Sequence, residues 1–80
     1  MPGFLLEHRH AAAECAAAFA AWRGFDSPLR RALAPSTCLD GGHQLWWRVE
    51  AVDAAAALAL LPAYVAARTT PIHVRAVRIP

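Results

Sequence analysis

His8 and His10 are the first residues in this chain whose type and spacing suggest chemistry. They close the run Phe4-Leu5-Leu6-Glu7-His8-Arg9-His10, which reads as a strand. Residues two apart on a strand share a face, so two imidazoles point the same way, roughly 7 Å apart at the backbone. Such a pair can converge on one transition-metal ion through ring nitrogens. It can also work as an acid–base pair, because an imidazole takes up and returns a proton near neutral pH. Cys15, Cys38 and His43 supply further soft or borderline donors. The expected function is therefore to hold a transition metal or a small ligand in a His/Cys-lined nook, the metal set being His8, His10 and His43, with Cys15 or Cys38 as thiolate, for zinc, copper or nickel. Under the enzymatic alternative, His8 or His10 is the general base, and Trp22, Trp47 and Tyr64 wall a small apolar pocket. A third alternative is a structural or interaction module with no site.

The elements that must position these residues are legible as hydrophobic periods. Phe4–His10 is the first strand. Ala11–Trp22 has the highest helix propensity in the chain, and Cys15, Ala18, Phe19 and Trp22 form one stripe along it. Ser27-Pro28 starts a short second helix running to about Leu33. Ser36–Asp40 and His43–Ala51 read as a hairpin about Gly41-Gly42. In the second of these strands, Leu45, Trp47, Val49 and Ala51 form the buried face. Asp53 caps a helix from Ala54 to about Arg68, and Pro62 should kink or split it. Ile72–Ile79 is the last strand, with His73 facing away from the helices.

The resulting order, β-α-β-β-α-β, predicts an α+β, ferredoxin-like domain over residues 1–80. It has a four-stranded antiparallel sheet of order 4-1-3-2 and two helices on one face. That topology gathers His8, His10, Cys15, Cys38 and His43 at one end of the sheet, with Asp40 beside them to orient a ring.

Composition narrows the function classes. Eighty residues with 58% apolar content are rich in hydrophobic groups for a domain that buries only about 60–65% of its surface. A second subunit is the simplest cover. The face without helices, bearing Arg9, Trp46, Arg48, Glu50 and Arg75, is the expected homodimer contact. A net charge of +2, carried by scattered arginines, does not favour nucleic acid. The longest uncharged apolar stretch, Ala54 to Ala67, is too short for a bilayer and contains Pro62. No signal peptide is evident at Met1-Pro2-Gly3. A cytoplasmic protein with reduced thiols is expected.

The layout resembles the small ferredoxin-like proteins of the dimeric α/β-barrel superfamily. The likeness lies in Phe4–His10, the helix to Trp22, Gly41-Gly42-His43 opening the Trp46-Trp47 strand, Leu60-Leu61-Pro62-Ala63-Tyr64, and the final strand to Pro80. It implies sheet-to-sheet dimers and a ligand held between helices and sheet. The activities it implies are those of isomerases, cofactor-free monooxygenases and haem-handling proteins.

Overall fold

The computed structural model describes residues 1–80. Three strands form one antiparallel sheet. Strand β1 is Gly3–Arg9, β2 is Gln44–Glu50 and β3 is Thr69–Val74. Their order is β2-β1-β3, so β1 is central and hydrogen-bonded on both edges. Helix α1 is Cys15–Ala20, α2 is Ala54–Leu58 and α3 is Ala63–Ala66. No helix is long and apolar enough to cross a membrane.

This corrects the four-stranded, two-helix expectation. Residues 36–40 do not become a strand. Pro35 and Thr37 touch the edge of β2 (Trp46 N–H to the Pro35 carbonyl at 3.0 Å, Thr37 N–H to the Gln44 carbonyl at 2.9 Å), and only Ser36 opposite Leu45 forms a bridge. The chain then curls into a 3-10 turn at Cys38–Asp40. The cause is local competition for amides. The Ser36 hydroxyl takes the Cys38 N–H, and the Thr37 carbonyl takes those of Asp40 and Gly42. Amides captured this way cannot extend a ladder. Gly41 closes the turn at φ 82°, a conformation glycine adopts freely.

The helical segments are shorter than their apolar periods suggest. The Ala11–Trp22 segment divides into a 3-10 turn, Ala12–Glu14, followed by α1. Residues 28–31 form turns, not a helix. There the Ser27 hydroxyl accepts from Leu29 N–H and donates to the Leu60 carbonyl, which ties the loop to the end of α2. Asp53 caps α2 by accepting from Ala56 N–H at 2.8 Å. Pro62 splits the long apolar stretch, and the chain restarts as α3.

The last strand begins at Thr69, directly after α3, and takes in Pro71 opposite Leu6. Proline is tolerated here because β3 is an edge strand. The register sets Ile72 opposite Leu5 and His73 opposite Phe4. His73 therefore shares the buried side of β1, with its ring 5.3 Å from that of Phe4, and does not face away. Arg75–Pro80 lie beyond the sheet and are exposed. Arg75 therefore drops out of the open face, which keeps Leu5, Glu7, Trp46, Arg48 and Ile72.

The core is the inner side of this sheet. Phe4 and Leu6 from β1 pack with Leu45, Trp47 and Val49 from β2, and Ala57, Leu61 and Val65 cover them. The period-2 alternation continues along β1 into His8, which is 1% exposed, and His10 just beyond it is 4% exposed. Two imidazoles thus occupy positions that the strand pattern reserves for apolar side chains.

Candidate metal centre

The four elements that meet beyond the end of β1 each deliver one donor. His10 follows β1, and its N–H donates to the His43 carbonyl at 3.2 Å. That bond holds the two histidine backbones side by side. Cys15 opens α1, Cys38 opens the second 3-10 turn, and His43 precedes β2. One donor atom from each of His10, Cys15, Cys38 and His43 lies within 4.8 Å of all the others. In a tetrahedral site with metal–ligand bonds of about 2.0–2.3 Å, donors sit roughly 3.3–3.8 Å apart. Small rotamer adjustments would close the set around one ion.

Two features single out this cluster. Nδ1 of His43 is buried and has no hydrogen-bond partner, although buried polar atoms nearly always find one. His43 is also held at φ 52°, in the left-handed region that costs a non-glycine residue strain. The unpartnered ring nitrogen is explained if a ligand binds there.

His8 stands behind this set, and its hydrogen bonds fix where the protons lie. The Thr69 hydroxyl donates its one proton to the Val65 carbonyl at 2.7 Å. Nδ1 of His8 faces that same carbonyl at 3.2 Å and the Thr69 oxygen at 3.0 Å. A carbonyl can only accept, and the hydroxyl proton is already used, so His8 Nδ1 carries the proton. Burial holds the His8 pKa below its ordinary 6.5, a shift that the bond to Val65 only partly offsets. The ring is therefore neutral at pH 7, and its Nε2 is an acceptor. His10 Nδ1, 2.9 Å from that atom, must donate to it. This leaves the lone pair of His10 on Nε2, the atom 3.8 Å from Cys38 Sγ. Burial first, and then the nearby His43, lower the His10 pKa as well, so this ring too stays neutral. A ligand imidazole with its second nitrogen donating to a fixed acceptor is the usual arrangement at protein metal sites.

Glu14 and Arg68 brace the cluster from outside. Glu14 accepts from Ala11 N–H at 2.8 Å and pairs with Arg68 at 2.9 Å, and these contacts hold its carboxyl below the usual range. The Arg68 guanidinium lies 3.7 Å from the centre of the Tyr64 ring.

Of the residues expected to bind metal, the structure brings together His10, Cys15, Cys38 and His43 and sets His8 one step behind them. Asp40 is exposed and stands outside the cluster. Trp22 and Trp47 meet at 5.8 Å between ring centres and line the same hollow, whereas Tyr64 lies away from it beneath Arg68. The anchoring roles of Val65, Thr69, Glu14 and Arg68 were not evident from their types. One signal was available in the spacing. His10 and Cys15 are separated by four residues, as are Cys38 and His43 in the reverse order, and a 3-10 turn lies within each interval. No protein-family model, curated protein or solved structure matches the chain.

Proposed function

We propose that this protein binds one borderline transition-metal ion, zinc being the best fit, through His10, Cys15, Cys38 and His43. The observation that carries the reading is the mutual approach of four donor atoms within 4.8 Å, drawn from four separate elements. An S2N2 tetrahedron is characteristic of zinc. Two thiolates also neutralise a divalent cation, so a neutral complex can sit in a half-buried site. Four protein ligands leave no open position, which favours a structural or metal-holding role over catalysis.

Elemental analysis of the purified protein tests this directly. One equivalent of metal is expected in the wild type, and less than a tenth of that in Cys15→Ser/Cys38→Ser. Cobalt(II) substitution should give thiolate charge-transfer absorption and the strong visible bands of a tetrahedral ion. Absence of both signatures in the wild type would end the proposal.

The enzymatic reading draws on one observation of its own. The line Val65 carbonyl, His8, His10, Cys38 has the layout of an oriented base beside a thiol. Loss of thiol reactivity in His10→Ala, with metal absent throughout, would favour it. The same proposal takes the open sheet face as a homodimer contact. Leu5, Trp46, Arg48 and Ile72 there are half-buried or exposed, and arginine and tryptophan are common interface anchors. Light scattering at micromolar concentration should report twice the mass of 8.6 kDa, and Trp46→Glu should return the monomer.

A further inference from the structure

A wide hollow lies against the sulfur side of the four-donor cluster. Its volume is about 590 Å³, within the range of small-molecule sites. Cys15 and Cys38 form part of its wall, and the larger surfaces are Phe19, Trp22, Leu45 and Trp47. Eleven of its fourteen lining residues are hydrophobic, so whatever fits it has an apolar body.

The polar exceptions are Arg30, Arg31 and Ser36. Both arginines are exposed, and neither takes part in an ion pair, since Glu14 and Arg68 make the only one in the chain. Arg31 is held at φ 68°, an uncommon conformation for a residue with a side chain. Two adjacent arginines outside any ion pair, both in the wall of an aromatic hollow, supply positive charge and planar donor geometry suited to a carboxylate. Only two cations over so apolar a wall are too few for a nucleic-acid backbone.

We propose that this hollow binds a small amphipathic organic anion. Its aromatic or branched apolar body lies against Trp22 and Trp47, and its single carboxylate-type head is taken by Arg30 and Arg31. The site shares Cys15 and Cys38 with the metal cluster but takes its ligand through other groups, the indoles and the two arginines.

The three tryptophans make the test specific. Trp22 and Trp47 line the hollow, whereas Trp46 lies on the opposite sheet face with its indole N–H donating to Glu7 at 3.3 Å. The full chain, 15N-labelled, is titrated with 2-naphthoate and separately with the neutral 2-naphthylmethanol, and the indole N–H resonances are followed. The Trp22 and Trp47 signals should shift together and saturate at one equivalent while Trp46 stays in place. The acid should bind at least tenfold more tightly than the alcohol, and Arg30→Gln/Arg31→Gln should abolish that difference while leaving alcohol binding within twofold. Equal affinity for acid and alcohol in the wild type would overturn the proposal. So would movement of all three indoles together, no saturable shift, or a dimer that closes the hollow without ligand.

Discussion

At the scale of single residues, the ordered protons of His8 and His10 separate their roles. His8 supplies no donor atom to the cluster, but it determines which nitrogen of His10 is free. His8→Leu should leave all four ligands in place and weaken zinc binding about 10–100-fold, the usual effect of losing such a support. His8→Gln, which keeps an acceptor oxygen, should recover part of the loss. Competition with a chromophoric chelator measures both, and equal affinities for wild type and His8→Leu would remove His8 from the site. The same two rings govern the acid response of the metal-free chain. Both pKa values lie below 6.5 in the folded protein. Above that pH neither state binds the protons, and the contribution to stability is complete. As pH falls below about 6.5, the unfolded chain gains protons that the buried rings refuse. Stability should then decline by up to about 1.4 kcal/mol per pH unit for each ring. Urea midpoints taken with chelator present from pH 8 to 5 should show this fall, and a flat profile would contradict the neutral pair. Glu14, whose pKa is lowered, adds a separate loss only as pH drops below its ordinary 4.5.

At the scale of elements, the site depends on turns that replace expected regular structure. Gly42 is the tightest of these positions. A Cβ there would stand 2.6 Å from Thr37 Cβ, and closer still to its hydroxyl, which receives Gln44 N–H. Gly42→Ala should therefore cost about 1–3 kcal/mol, as overpacking does, and should loosen the turn that joins Cys38 to His43. Gly24→Ala is the contrast. No atom lies within 4 Å of that Cβ, so only the strain of φ 71° opposes the change. Denaturant unfolding of the two variants, with zinc affinity measured on each, should show that Gly42→Ala alone weakens metal binding. The same turns mark the limit of what the chain could reveal unaided. The alternation along Phe4–His8 and Leu45–Ala51 was legible because burial follows a period of two, and it carried both histidines to the inner face. Cys38 was also placed near them, but through a two-residue hairpin that does not exist. Side-chain hydroxyls at Ser36 and Thr37 outcompete the ladder, and nothing in a hydrophobic pattern records that competition. Pro71 hid the start of the last strand, which was expected only from Ile72 but begins at Thr69, because proline reads as a breaker wherever the strand's edge position is unknown.

At the scale of the whole molecule, an ion held by the four donors would compensate for a small core. Only 13 of the 80 residues are buried, and chains of this length commonly need a staple. Between Ala21 and Thr37 the structure has turns and one bridge but no helix or strand, so little backbone pairing holds this connection to the sheet. Cys15 lies before it, and Cys38 and His43 lie after it. An ion shared with His10 would close the loop at its base and fix both ends to the central strand. The unfolded chain cannot present four donors at this spacing, so binding adds to folding stability. With free zinc a thousandfold above its dissociation constant, the gain is about 4 kcal/mol. For a domain of this size that raises the thermal midpoint by about 16–30 °C. Calorimetry of the zinc-loaded and chelator-treated chain should show a shift of that order, and Cys15→Ser/Cys38→Ser should melt at the chelated temperature with or without zinc. A midpoint indifferent to zinc in the wild type would mean that the apolar core alone holds the fold, and that the four donors meet for a reason other than stability.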